Sequence, residues 1–366
     1  MDNRDKEDFE LETLAEFDRA TARGSLSGYR VQSVDLRERT LALLSLDTSA
    51  TVFLGCTMEP DAAAKVRGDG ALVFPPVPDL PFDPYRGRLY GPEELFDGLS
   101  AGYEATLDFL TYDWFQQAEA DGDVLSSMLR SLHDDAVSDA LDELLAGTRV
   151  VGVMGGHGMA RGSAAYAGAA RLGRALARTG LTVATGGGPG AMEAANLGAY
   201  LAPFEDAALP EALELLAGCP SFTPSVTDWA TAAFAVRKQW PGGGDSVGIP
   251  TWFYGHEPPN AFAGHIAKYF ANALREDGLL ARSNAGVVYL PGAAGTVQEV
   301  FDAATPNYYG SRGEPAPMVL VDVAHWTRTL PAWPLLQALA AGRPMESRIA
   351  LVDSVDEVPA VLAALA

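Results

Sequence analysis

The sequence predicts an α/β fold, a doubly wound parallel sheet over residues 148–366, preceded by a mixed α+β region over residues 1–147. Three observations predict it. From Arg149 onward, short runs of strand type alternate with helical spacing, glycines cluster at the ends of those runs, and the runs are apolar at nearly every position. Strands buried on both faces must be apolar in this way, and the alternation with helices makes the sheet parallel. A sheet of this Rossmann-like kind binds ligands beyond the carboxyl ends of its strands.

In residues 1–147, Thr51 to Cys56 (TVFLGC) and Ala71 to Phe74 (ALVF) are β-rich runs. The prolines and turn residues between Pro75 and Pro92 forbid a long regular element, so this stretch reads as an ordered loop or a domain edge. Glu93 to Ala118 and Val124 to Leu145 have helical spacing. The second places Val124, Leu125, Met128, Leu129, Leu132, Val137, Leu141, Leu144 and Leu145 on one apolar face, with Gly147 as its C-terminal stop. No internal repeat at a solenoid period is legible.

From Arg149 the elements follow in order. Arg149 to Met154 (RVVGVM) is a strand ending in GGHG, and Ala164 to Arg178 is a helix. Leu181 to Thr185 (LTVAT) is a strand ending in GGGPG, after which Ala191 to Leu201 is helical. Ser246 to Ile249 leads to a turn at Pro250. Gly286 to Leu290 (GVVYL) leads into PGAAGT and a helix from Val297, and Met318 to Val321 is a further strand.

A chain of 366 residues suits one large domain and a smaller one. Its net charge of -22 repels a polyanion, which excludes nucleic acid polymers as partners. A single phosphate is not excluded, since it needs only a local nest of backbone N–H groups. Cys56 and Cys219 stand far apart without metal-type spacing, so neither a disulfide framework nor a metal site is expected. The charged N-terminus lacks the apolar stretch of a signal peptide, and no run approaches the roughly 20 apolar residues of a membrane helix. A cytoplasmic protein is expected.

Three turns carry the chemistry: Gly155 to Gly158, Gly186 to Ala194 and Pro291 to Glu299, each between a strand and a helix. Glycine lets the backbone approach a phosphate, and the helix that follows offers unpaired N–H groups and about half a positive charge. The candidate binding residues are Gly155, Gly156 and His157; Gly186, Gly187, Gly188, Gly190, Met192 and Glu193; and Pro291, Gly292, Gly295 and Thr296. GGHG is not the dinucleotide fingerprint G-x-G-x-x-G, and PGAAGT lacks the lysine of a P-loop. A mononucleotide fits better than NAD or a Walker-bound ATP.

The stretch TGGGPGAMEAANLGA, Thr185 to Ala199, together with PGAAGTVQE, resembles the paired signature of the LOG-type phosphoribohydrolases, whose second motif usually reads P-G-G-x-G-T-x-x-E. The GGH turn and GPGAMEA are closer still to the bacterial pyrimidine/purine nucleotide 5'-monophosphate nucleosidases. The resemblance covers Arg149 to the C-terminus, and residues 1–147 match nothing. It implies hydrolysis of the N-glycosidic bond of an AMP-like nucleoside 5'-monophosphate, giving free base and ribose 5-phosphate, with no cofactor, by a homo-oligomer of two subunits or more. It further implies that Gly295 and Thr296 hold the 5'-phosphate and that Glu299 faces the sugar. An Arg ahead of the motif is implied too: Arg275 is the candidate, one residue farther from Pro291 than the family spacing, and Arg282 its competitor. A carboxylate beside the ribose stabilises oxocarbenium charge and activates water, as in glycoside hydrolysis.

Ala293 stands where the family has Gly, a substitution that narrows the phosphate approach if φ there is positive and is tolerated if φ is negative. Glu193 is a candidate acceptor for ribose hydroxyls or an ordinary first-turn carboxylate. His157 either contacts phosphate or base or makes a structural turn bond. Trp252, Phe253 and Tyr254 either stack on a base or belong to the core. Lysine decarboxylation would need pyridoxal phosphate on a Schiff-base lysine. The α/β region offers only Lys238 and Lys268, neither in a glycine turn, which argues against it. Base preference stays open, and the competing reading is a non-catalytic nucleotide or molybdenum-cofactor carrier of the same fold.

Overall fold

The computed structural model describes residues 9–255, 257–311 and 313–365; the charged residues 1–8 lie outside them. The chain divides into two compact units, one running to Arg88 and including Met128–Ala140, the other comprising Leu89–Ser127 and Leu141 to the C-terminus. A boundary at 147/148 is expected from the sequence; these compact units part at 88/89, towards the end of the proline-rich stretch, and again within the helix Val124–Leu145, which contributes residues to both.

The first unit runs β1 (Glu10–Leu11), α1 (Leu14–Thr21), β2 (Arg30–Gln32), α2 (Thr40–Ser45), β3 (Val52–Leu54), α3 (Pro60–Gly68) and β4 (Leu72–Phe74). All strands are parallel and lie in sequence order, β1-β2-β3-β4. Leu11, Val31 and Phe53 from the strands bury against Phe17, Leu43 and Val66 from the helices. Register partners Glu10, Arg30, Val52 and Leu72 recur at a period of roughly 20 residues, the short end of the solenoid range. The backbone therefore repeats where no repeat is legible in the sequence. What recurs is a pattern of burial filled by different side chains, so residue identity carries no trace of it.

Next come α4 (Pro92–Leu95), α5 (Leu107–Asp121) and α6 (Val124–Leu145). The helical spacing of Glu93 to Ala118 is interrupted: two 3-10 turns separate α4 from α5, around Gly98 at φ 94° and Gly102 at φ 112°, angles no helix accommodates. Helix α6 matches its expected span, and Gly147 follows it at φ 71°. Its apolar face is only partly core, since Val124, Leu125 and Met128 are exposed whereas Leu129, Val137, Leu141 and Leu145 are buried.

The second unit continues with β5 (Val150–Met154), α7 (Ala164–Arg178), β6 (Thr182–Thr185), α8 (Ala191–Tyr200), α9 (Ala208–Ala217), α10 (Val226–Gln239), β7 (Val247–Gly248), β8 (His265–Ile266), α11 (Asn272–Arg282), β9 (Gly286–Tyr289), α12 (Ala294–Tyr309), β10 (Met318–Val321), α13 (Ala332–Ala340), β11 (Ile349–Val352) and α14 (Val358–Leu365). These strands form one parallel sheet in the order β11-β10-β9-β5-β6-β7-β8. This is the doubly wound, Rossmann-like sheet the apolar runs predict, and every residue of β5, β9 and β10 is buried. From β5 the chain winds outward through β6 to β8, then returns to β9 on the other side and winds outward to β11. The β5/β9 boundary is thus the topological switch point.

Helices α7 and α8 cross unusually closely. A methyl on Gly198 would fall inside the carbonyl oxygen of Ala170, and one on Gly173 would strike the Ala195 carbonyl. Gly198→Ala is therefore expected to destabilise the protein by about 1–3 kcal/mol through overpacking. Chemical denaturation checks this, and an unchanged midpoint would show that the helices separate at no cost.

Candidate active site

The three glycine turns stand at the carboxyl ends of β5, β6 and β9 and meet there. The Gly156 N–H donates to the Pro291 carbonyl (3.4 Å), and the Ala191 N–H donates to the Gly156 carbonyl (3.1 Å). Gly190, at φ 73°, presses against the first turn so closely that a Cβ would lie 2.5 Å from the carbonyl oxygens of both Gly156 and His157. No other residue fits that position.

A buried polar network holds the second turn. The Gly187 N–H donates to Thr185 Oγ1 (3.0 Å), and the Gly187 carbonyl accepts from the Asn260 N–H (2.7 Å). Asn260 Nδ2 donates to the Gly188 carbonyl (3.1 Å) and to Asn196 Oδ1 (3.0 Å), while Asn196 Nδ2 donates to Ser246 Oγ (2.9 Å). Thr185, Asn196, Ser246 and Asn260 are all fully buried. Buried amides must find partners, so this network specifies one arrangement of the turn. Met192 lies along it, with its Sδ and Cε where side chains on Gly186 and Gly188 would be.

The third turn opens α12. Ala293 has φ -110°, an angle open to any residue, so its methyl leaves the backbone path of the turn undisturbed. Ala293, Ala294 and Gly295 are exposed, and nothing lies within 4 Å of the space beside Gly295. Thr296 is buried, its side chain packed over Gly292. The Gly292 N–H donates to His325 Nε2 (3.4 Å), so that amide is occupied. His325 begins the π-helical turn His325–Thr329 after β10, and its own N–H is held by Asp322 Oδ1 (2.9 Å).

Glu299 lies one turn into α12, and α11 brings Arg275 to it. Arg275 Nη1 is 3.6 Å from Glu299 Oε1 and 3.9 Å from Glu276 Oε1, while Nε donates to the Ile249 carbonyl (3.0 Å). The guanidinium also packs on Gly186, which ties the pair to the second turn. Arg282 points elsewhere, bonding Asp142 Oδ1 (2.8 Å) and the Gly278 carbonyl (3.1 Å). Of the two arginines, Arg275 is the one the fold places beside Glu299. Burial pushes the Glu299 carboxyl up to about 7; Arg275 pulls it down, and Glu276 and Asp302 push it further up.

One sequence expectation needs correction. Glu193 is no free acceptor for ribose: its carboxylate is 1% exposed and gripped by Arg161, whose Nε donates to Oε2 (2.9 Å) and whose Nη2 pairs with Oε1. Helix α8 turns it inward, toward a cavity of about 60 Å³ lined in part by Arg161, Phe222 and Trp229. Trp252 is core, stacked at 4.7 Å on Phe270 with its indole N–H on Asp108, because buried aromatics fill space before they bind. Phe253 and Tyr254 by contrast are half exposed. His157 is exposed, with Nδ1 3.3 Å from Glu257 Oε1. Lys268 is sealed in the core on Asp108 (2.5 Å), and Lys238 is exposed on α10.

Asn196, Asn260, Arg161, Glu257, Glu276 and His325 escaped the sequence reading. Only Glu276, next to Arg275, carried a local signal.

The fold is that of a doubly wound α/β protein whose glycine turns gather at the carboxyl ends of the strands around the switch point. Residues 232–365 match the family model described as possible lysine decarboxylase, and residues 148–202 match that of the SLOG cluster4 family. The two matches support placing this region in the LOG/SLOG superfamily. No curated protein matches the chain. Among solved structures, the molybdenum cofactor binding protein from Rippkaea orientalis is similar at 15% identity, covering 60% of this chain and 98% of that one with a TM-score of 0.37. The molybdenum cofactor carrier protein from Chlamydomonas reinhardtii is similar at 19% identity, with the same coverage and TM-score. Among the described residues no helix is long and apolar enough to cross a membrane.

Proposed function

We propose that the protein hydrolyses the N-glycosidic bond of an AMP-like nucleoside 5'-monophosphate to free base and ribose 5-phosphate. The observation that carries this reading is the Arg275–Glu299 pair beside the exposed N-terminus of α12. In this reading the first amides of α12, around Gly295, receive the phosphate, helped by the helix dipole. The ribose then lies toward Glu299, one turn along the same helix. Cleavage leaves positive charge on C1' as the C1'–N bond breaks and its electron pair departs with the base. The Glu299 carboxylate stabilises that charge and takes a proton from the water that adds to C1', while solvent protonates the departing base. Arg275 grips phosphate or base with a fork of donors that never loses its charge. A carboxyl that titrates near neutrality suits a general base at physiological pH.

The test is incubation with AMP, GMP, CMP and UMP followed by assays of free base and reducing sugar. The wild type is expected to release base, and Glu299→Gln to be slower by about 10²-fold or more. Nucleotide binding without release by the wild type would favour the carrier reading. Electron density for an AMP phosphate away from Gly295 and Thr296 would refute the assigned site.

A further inference from the structure

Arg275 is shared between two carboxylates whose surroundings differ. Glu276 is saturated with donors from three parts of the fold: Asn272 Nδ2 at 2.8 Å and the Tyr254 hydroxyl at 3.5 Å both reach Oε1, and Gln298 Nε2 reaches Oε2 at 3.0 Å. The Tyr254 hydroxyl is itself held by Asn272 Nδ2 at 2.8 Å. Glu299 has no such collar. Among the described residues no donor hydrogen-bonds its carboxylate, and Arg275 at 3.6 Å is beyond hydrogen-bonding reach. One acid is thus anchored, and its neighbour is left available to a ligand.

We infer that Glu276 is a positioning residue for the reaction proposed above: fixed by Asn272, Tyr254 and Gln298, it competes for Arg275 and so keeps Glu299 from being locked in an ion pair. The inference rests on that reading for its catalytic meaning. The physical logic is that of two acids in one site given different roles by their surroundings, one fixed in place by its donors and the other free to exchange a proton.

The charged and titratable groups around Glu299 come from three elements. Helix α11 supplies Arg275 and Glu276, α12 supplies Asp302, and β9 supplies Tyr289, whose hydroxyl donates to the Glu299 backbone carbonyl at 3.3 Å. Arg275 opposes proton retention on Glu299, whereas Glu276 and Asp302 favour it. Removing the Glu276 charge leaves Arg275 to Glu299 alone, so Glu299 should lose its proton at lower pH. At these separations one charge displaces a neighbour's titration by on the order of one pH unit.

The experiment compares wild type, Glu276→Gln, Glu276→Ala and Asp302→Asn by two readouts. The first is the pH profile of kcat/KM for base release, whose rise through neutrality should move to lower pH in both Glu276 variants, and by more than in Asp302→Asn. The second is the 13C titration of the Glu299 side-chain carboxyl in glutamate-labelled protein, assigned by its disappearance in Glu299→Gln. It needs no turnover. Total absence of base release from any nucleotide would sink the proposed reaction, yet the carboxyl titration would still decide the role of Glu276. A titration unmoved in whichever Glu276 variant folds, or moved no more than in Asp302→Asn, overturns the inference.

Discussion

Glu299→Gln is expected to be more stable than the wild type at pH 8 and nearly equal to it at pH 5. The folded carboxyl titrates near 7, above its ordinary value of 4.5. A group whose folded value is raised contributes stability that is complete below the unfolded value and is lost as pH rises through the folded one. Between pH 4.5 and 7 the unfolded chain sheds this proton first. Above pH 7 the wild type must hold a buried charge, at a cost of about 3 kcal/mol. Glutamine keeps the shape without the charge and escapes that cost. Urea denaturation at pH 5, 6, 7 and 8 measures the difference, and equal stability of the two proteins at pH 8 would sink the assignment. The same substitution should slow base release by about 10²-fold or more, so stability and activity would move in opposite directions, as they do where a site stores unfavourable electrostatics.

The second large effect concerns Arg161. Both it and Glu193 are 1% exposed. Arg161 also donates to the carbonyls of Trp229 (3.0 Å) and Cys219 (3.4 Å) and lies over the Trp229 ring at 4.6 Å. Arg161→Ala strands the Glu193 carboxylate in the core and should destabilise the protein by about 3–5 kcal/mol. Arg161→Met combined with Glu193→Leu removes both charges and should recover most of that loss, since breaking a buried pair is worse than deleting it. Thermal denaturation of the single and double variants decides it. A double variant no better than Arg161→Ala would mean that the carbonyl bonds and the packing, rather than the ion pair, hold this corner.

The match between sequence and structure is uneven for a physical reason. Helix α7 begins and ends where the spacing of Ala164 to Arg178 places it, and β5, β6, β9 and β10 lie within their apolar runs. A helix stripe or a buried strand is written in consecutive residues, and so is a glycine turn. The pairs that make the candidate site are written in no such stretch. Arg275 was chosen over Arg282 by the direction in which α11 presents each guanidinium, which spacing to Pro291 does not reveal. Glu193 sits in a turn that reads as ligand-binding, yet α8 rotates it toward Arg161. Likewise, Asn260 reaches Asn196 across 64 positions, a contact no local pattern announces.

The amino-acid order alone settled the alternation of strand and helix, the parallel sheet, and the glycine turns at its strand ends, because backbone conformation and burial periodicity are local. Folding in three dimensions decided which carboxylate meets which guanidinium, which acid is buried and paired, and which stays available. Those outcomes depend on helix orientation, solvent exclusion and charges brought together from distant segments, and these quantities exist only once the chain has packed.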